Sequence, residues 1–236
     1  MALYTLAFVI ENTNRIIFLS LTYIHDLYQR LLIFDTIMTK PYAESCAQNQ
    51  QAILDVLKIE LQQQQRLLEI GSGTGQHAVY FSRHFPQLQW QTSDLGIHHP
   101  GIQAWIDDSG LDNVMTPLQL NVMQAEDWPD TQYDVIFSAN AVHIMSWLAV
   151  EAMFSGIGRV LNANGKLILY GPFNYAGQYT SESNARFDLW LKQRDPESAI
   201  RDFEALDQLA IEQCMSLIQD YAMPANNRIL IWQKLQ

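Results

Sequence analysis

Basic residues are scarce in this sequence of 236 residues: Lys and Arg number 14 against 25 Asp and Glu, a formal net charge of -11. A broad cationic face for phosphate backbones is therefore not expected, and nucleic acid is disfavoured as a partner. Cysteine is nearly absent too. Cys46 and Cys214 stand alone, which leaves no disulfide framework, no zinc spacing and no metal site to expect, with a reducing, cytoplasmic compartment as the default. Long apolar runs are missing as well. Glu11 interrupts the first, and Ile16 to Ile24 ends after 9 residues, too short to span a bilayer. No basic segment precedes a small-residue cleavage site, so secretion is not expected.

Charged residues make up 17% of the chain and hydrophobic ones 48%, enough for one sizeable core but short for two full domains. Residues 1–37 are apolar, aromatic and β-branched, and three readings are open for them. They form an accessory helix or hairpin packed on the domain, they lie upstream of a functional unit that starts at Met38, or they lie on a membrane surface with only Arg15 and Arg30 to meet anionic lipid. The main domain is expected over residues 38–236.

The run RLLEIGSGTGQHAVYF, Arg66 to Phe81, carries the strongest signal. Leu67, Leu68 and Ile70 read as a short strand. Gly71, Gly73 and Gly75 permit a tight turn, with Ser72 and Thr74 between them, and His77 to Phe81 open a helix. Strand, glycine loop and helix N-terminus in succession form a nucleotide-type cofactor site. Downstream, strands are expected at Leu88–Thr92 (ending at Asp94), Val114–Val122, Tyr133–Ser138, Lys166–Tyr170, Met215–Tyr221 and Arg228–Leu235. Helices are expected at Asn49–Leu61, Gly75–His84, Ile102–Asp108, Trp147–Arg159 and Ile200–Ala210. The alternation predicts a three-layer α/β sandwich, Rossmann-like, with a mostly parallel sheet and a C-terminal antiparallel hairpin.

The glycine spacing separates two cofactor classes. A dinucleotide fingerprint reads G-x-G-x-x-G/A, but its third place is Gln76 here, and the third glycine comes one position early. The form E-x-G-S-G-T-G is that of enzymes binding S-adenosylmethionine. Asp94, at the end of the second strand, is placed to accept ribose hydroxyls. Glu69 orients either the loop or the ammonium of the methionine end. No G-K-[ST] follows, which excludes a Walker loop. Asn121, with Val122 after it, is either an adenine-edge amide or a turn residue. Ser138 and Asn140 end the fourth strand at the ligand edge, and His143 follows as either a base or a structural histidine. Asn140 and His143 are the candidate catalytic pair.

Taken together, LEIGSGTGQHAVYFSRHFPQLQWQTSD, DVIFSANAVHIMSW, LILYGPFNYAGQYTSESNARFDLWLKQRDP, IRDFEAL and MPANN resemble the DUF938 family, also called methyltransferase-like 26, of class I S-adenosylmethionine-dependent methyltransferase-like proteins. The resemblance covers about Lys40 to Leu235 and implies a Rossmann-like methyltransferase domain. It carries Glu69, Gly71, Gly73, Gly75 and Asp94 over as cofactor residues. Two departures stand out: Asn121-Val122 replaces the usual Asp-Val after the third strand, and Cys46 is followed by AQNQ where C-x-R-N-R is usual, so that Asn49 alone matches.

The connection Tyr170 to Pro196 is long and leaves the sheet at the ligand edge. Phe173, Asn174, Tyr175, Tyr179, Asn184 and Phe187 are candidate acceptor-binding residues, with about Ser183 to Arg194 as a short lid helix and Asn226 closing the same edge. No N-P-P-Y follows the fourth strand, where SANA stands, and neither cysteine follows a proline. Adenine-amine and cytosine methylation are thus not signalled. The leading function is methyl transfer to a small acceptor, with a short protein segment as the other substrate class. Rivals are a nicotinamide-dependent oxidoreductase and a non-catalytic scaffold or interaction module. The oligomeric state is not legible.

Overall fold

The structure, a computed structural model, describes residues 40–236, so the readings of residues 1–37 lie outside the described residues. Pro41–Gln236 is one compact unit. Its elements are α1 (Glu44–Glu60), β1 (Arg66–Ile70), α2 (Gln76–Ser82), β2 (Gln89–Asp94), α3 (His99–Ser109), β3 (Val114–Gln119), β4 (Tyr133–Ala139) and α4 (Trp147–Val160). There follow β5 (Leu161–Gly171), β6 (Phe173–Asn174), α5 (Glu182–Arg194), β7 (Arg201–Asp202), α6 (Phe203–Glu212), β8 (Met215–Ala222) and β9 (Arg228–Lys234).

The main sheet has seven strands in the order β3-β2-β1-β4-β5-β9-β8. β1 to β5 run parallel, and β9 is antiparallel to both β5 and β8. The expected α/β sandwich with a C-terminal antiparallel hairpin is the observed fold. Its layers follow from strand periodicity. On β1, Leu67 faces one core and Leu68 the other; on β4, Val135 and Phe137 oppose Ile136; on β9, Ile229 and Ile231 oppose Leu230 and Trp232. Both faces are apolar because helices cover both. Ile53, Leu57, Phe81, Ile102 and Ile106 bring α1, α2 and α3 onto one face. Val150, Phe154, Ile157, Leu206 and Ala210 bring α4 and α6 onto the other.

Several elements differ from the sequence expectation: α1 starts at Glu44 rather than Asn49, α3 at His99 rather than Ile102, and β3 ends at Gln119 rather than Val122, while others differ for local reasons. Proline in β3 is tolerated because β3 is an edge strand and its pairing with β2 slips a register between Gln91 and Ser93, opposite Pro117. β5 starts at Leu161 rather than Lys166, absorbing the turn-like Asn162–Gly165 stretch as an irregularity opposite Tyr133 and Val135, with Asn164 at φ 62°. Arg201 and Asp202, read as the start of a helix, instead pair with Phe173 and Asn174 in a small parallel ladder. The lid helix is present as α5, and the Ser181 hydroxyl caps it by accepting from Asn184 N–H at 3.1 Å.

Since order reverses between β1 and β4, the two chain directions of the crossover connections diverge at the carboxyl ends of these strands, and a crevice opens there. On the α4 side of the sheet, Trp128 is buried in the core, donates from Nε1 to Val122 O at 3.1 Å, and lies against Gly156 of α4. A Cβ at Gly156 would lie 2.0 Å from the Trp128 ring. Gly156→Ala is therefore expected to destabilise the fold by about 1–3 kcal/mol through overpacking, read as a lower urea midpoint at unchanged m-value.

Candidate functional site

The turn after β1 is fixed by its neighbours on both sides. Gly71 N–H and Ser72 N–H both donate to Ser93 O of β2, at 3.1 and 3.0 Å. Ser93 Oγ donates to Glu69 O at 2.6 Å, and Ser138 Oγ of β4 donates to Ile70 O at 2.8 Å. The glycines occupy left-handed conformations, with φ of 73° at Gly71, 58° at Gly73 and 88° at Gly75. At Gly75 a Cβ would come 3.0 Å from the Ile102 backbone, so the loop also needs glycine for close approach to α3. At Gly73 a Cβ would meet nothing within 4 Å, so the loop backbone there borders open space.

Glu69 lies beneath this loop, 2% exposed. Its Oε2 accepts from Ser72 Oγ at 2.9 Å and from Trp90 Nε1 at 3.0 Å. Of its two expected roles, these bonds serve loop orientation. Burial pushes the carboxyl up to about 7, opposed by the Trp90 and Ser72 donors and reinforced by the charge on Asp94. Ser72 is saturated: it donates to Glu69 and accepts from Ser93 N–H at 3.1 Å. Thr74 donates to Gln76 Oε1 at 3.0 Å. Gln76, in the third fingerprint place, accepts from Ala43 N–H and donates from Nε2 to Ala43 O at 3.4 Å, so it ties the chain before α1 to the loop. His77 is buried on the first turn of α2, its Nε2 2.7 Å from Asn49 Oδ1 and its ring stacked on Phe81 at 5.1 Å. Burial lowers its pKa to about 4.

Asp94 sits at the end of β2, facing the loop. Its Oδ2 accepts from Gly73 N–H at 2.8 Å and its Oδ1 from Leu95 N–H at 2.7 Å. Each oxygen keeps lone-pair capacity for a further donor. Asn121, after β3, donates its N–H to Asp127 Oδ2 at 2.8 Å and accepts on Oδ1 from Met123 N–H at 3.1 Å. The side chain thus closes its own turn. Val122 carries the carbonyl held by Trp128.

Asn140 and His143 follow β4. Asn140 has φ 58° and donates its N–H to Tyr170 O at 2.9 Å; asparagine tolerates that left-handed position. His143 is 5% exposed, and among the described residues neither ring nitrogen has a hydrogen-bond partner. Burial, then the Arg201 guanidinium, lower its pKa to about 4, so the ring is neutral at neutral pH. Arg201 reaches it from behind. Its Nη2 donates to Met145 O and, at 2.7 Å, to Glu197 O, while the guanidinium lies 5.8 Å from the Trp147 ring.

Asn140 and His143 line a cavity of about 680 Å³. From the expected acceptor set it also receives Asn184, Phe187 and Asn226. Asn184 Nδ2 donates to Thr180 Oγ1 and Asn226 O, at 2.9 and 3.1 Å, which links α5 to the turn before β9. The other four expected residues lie elsewhere. Phe173 is a buried member of the core cluster that also holds Phe154 and Trp232, and Asn174 is buried on β6. Tyr175 stacks on Phe203 at 5.5 Å and donates to Asp220 Oδ2 at 2.9 Å. Tyr179 donates to Asp188 Oδ2 at 2.7 Å. In their place the cavity takes Asn49, Tyr170, Trp190 and Asn227. For Trp190 a signal existed in its spacing of three from Phe187 on one helix.

This fold is that of the Rossmann-like S-adenosylmethionine-dependent methyltransferases. An O-methyltransferase family protein from Burkholderia thailandensis superposes with a TM-score of 0.70 at 16% identity, covering 79% of this chain and 56% of that one. A putative O-methyltransferase from Nostoc punctiforme gives 0.68 at 16%, covering 78% and 55%. Human N-acetylserotonin methyltransferase, solved in complex with S-adenosylmethionine, gives 0.68 at 11%, covering 82% and 53%. The chain thus spans about half the length of these structures. Residues 40–234 match the model of a family described as protein of unknown function (DUF938), and the chain belongs to that family. Among the described residues no helix is long and apolar enough to cross a membrane.

Glu69 gives a pH-dependent stability with a definite sign. A carboxyl whose pKa is higher folded than unfolded stabilises the fold while protonated. That contribution is complete below about 4.5 and is lost as pH rises through about 7. The difference is on the order of 3 kcal/mol. Thermal melts from pH 4.5 to 8 are expected to show the wild type losing stability relative to Glu69→Gln up to about pH 7, with a constant gap above it.

Proposed function

We propose that this chain is an S-adenosylmethionine-dependent methyltransferase acting on a small-molecule acceptor, with residues 38–236 as its working domain and the cytoplasm as its compartment. One observation carries the reading. The glycine loop and the Asp94 carboxylate converge, 2.8 Å apart from Gly73 N to Asp94 Oδ2, at the same strand edge where the cavity beside Asn140 and His143 opens. The open space over Gly73 and the spare acceptor capacity of Asp94 fit this donor. In this reading the Gly71–Gly75 backbone takes its amino-acid end, Asp94 its ribose, and Asn121 with Val122 its adenine edge. When bound, the donor supplies an electrophilic methyl group on a sulfonium.

The chain's own contribution is positioning, which can supply much of the rate of such a displacement. Asn140, fixed by its backbone bond to Tyr170, offers an amide at the strand end. His143, neutral at neutral pH, can accept a hydrogen bond from an acceptor hydroxyl and receive its proton as the new bond forms, though burial beside Arg201 makes it a weaker base than an ordinary histidine. A nicotinamide cofactor is served less well. Its pyrophosphate would need the third glycine place, which Gln76 fills with a side chain bonded to Ala43. The small molecule is favoured over a protein segment because the cavity has the volume of a small-ligand site.

Calorimetry with S-adenosylmethionine and S-adenosylhomocysteine tests the reading. Micromolar binding is expected, weakened about 10- to 100-fold by Asp94→Ala through loss of charge-assisted hydrogen bonds. Tighter binding of a nicotinamide dinucleotide than of either ligand would overturn it. Unchanged turnover in Asn140→Ala and His143→Ala, once an acceptor is in hand, would remove the catalytic pair.

A further inference from the structure

The acceptor cavity has a chemical character of its own. Its ionic groups, Arg194 and Asp195, are neighbours at the exposed end of α5. The Arg194 guanidinium lies 5.7 Å from the Trp190 ring, so even this charge is spent along an aromatic face at the rim. Deeper in, the polar wall consists of carboxamides such as Asn49, Asn140 and Asn227, the Tyr170 hydroxyl and the neutral ring of His143. Arg201 stands behind the His143 segment, bonded to backbone carbonyls, and is not part of the cavity lining. A buried ion needs an opposite charge or dense hydrogen bonding; no side chain lining this interior carries a formal charge, and Arg201 is engaged with backbone carbonyls outside the lining. Carboxamides both donate and accept, which suits uncharged polar groups.

The apolar wall has a shape as well as a composition. Phe187 and Trp190 lie one turn apart on α5, their rings nearly parallel, with centroids 5.8 Å apart and 14° between planes. The two rings stack on each other as an offset pair, and Phe187 meets His143 in a T-shaped contact with centroids 5.4 Å apart and 74° between planes. Flat aromatic surfaces favour flat aromatic partners in offset or edge-on contact.

We infer that the acceptor is an uncharged planar aromatic molecule whose hydroxyl group is methylated, its ring against the Phe187–Trp190 aromatic pair and its hydroxyl at His143. This rests on the methyl-transfer reading. In the transfer the hydroxyl oxygen supplies the electron pair of the new O–CH3 bond. The C–S pair stays on the donor sulfur as a neutral thioether, and the hydroxyl proton goes to an imidazole nitrogen of His143 and then to water.

The full chain, first saturated with S-adenosylhomocysteine in a calorimeter, is titrated with 2-naphthol, with 3-hydroxy-2-naphthoic acid as the anionic analogue and 1-(aminomethyl)-2-naphthol as the cationic one. The neutral probe is expected to bind about tenfold or more tighter than either charged one, a difference of about 1.4 kcal/mol. Phe187→Ala combined with Trp190→Ala is expected to weaken 2-naphthol binding about tenfold or more while leaving S-adenosylhomocysteine affinity unchanged. With S-adenosylmethionine, 2-naphthol is expected to yield its methyl ether, read by mass spectrometry. Equal or tighter binding of a charged probe, or no binding of 2-naphthol at millimolar concentration, overturns the acceptor class while the cofactor reading stands. Binding of 2-naphthol without ether formation overturns the hydroxyl assignment. Absence of any S-adenosylhomocysteine heat brings down the methyl-transfer reading and this inference with it.

Discussion

The fixed point of this molecule is the carbonyl of Ser93, which receives two consecutive backbone N–H groups from the turn after β1. Without it Gly71 and Ser72 would have to place buried donors elsewhere, at a cost of about 1–3 kcal/mol each if unmet. The same turn is held from β4 by Ser138 and from below by Glu69 through Ser72. Three adjacent strands thus dictate the loop's shape before any ligand arrives. Such preorganisation is what a backbone cradle needs, since a loop ordered only on binding would lose affinity to the ordering.

The two halves of the site are built differently. The loop half is held to the sheet by Gly71 and Ser72 N–H on Ser93 O, by Ser138 Oγ on Ile70 O and by Ser72 Oγ on Glu69. The acceptor half is assembled from separate elements: the segment after β4, helix α5 and the turn before β9, joined by the Asn184 and Asn226 contacts. Its boundary is made of side chains held by a few hydrogen bonds and ring contacts. Under the proposed function, that division places selectivity for the acceptor in the second half.

Most of the fold was legible because each strand obeys a period of two with both faces apolar, as on β1, β4 and β9. The placement of the loop was legible for a related reason. The residues proposed to hold the donor are contiguous, Glu69 to Gly75, with one carboxylate ending the next strand. The acceptor half was legible only in outline. Tyr175 and Tyr179 look like pocket residues by type, but their hydroxyls are claimed by Asp220 and Asp188, partners the local pattern does not reveal. Phe173 belongs to the core because alternation along β5 and β6 turns it inward. The two-residue ladder of β6 and β7 is too short to leave a periodic trace, so Arg201 behind His143 could be found only in three dimensions.

The most direct measurement is a crystal structure of the chain grown with saturating S-adenosylhomocysteine. The expected result is the ligand's sugar hydroxyls on the Asp94 carboxylate, its amino-acid end against the Gly71–Gly75 backbone, and its sulfur facing the space beside Asn140 and His143. A ligand seated elsewhere, or that crevice filled by protein side chains at saturating ligand, would contradict the assignment of this strand edge as a methyl-donor site.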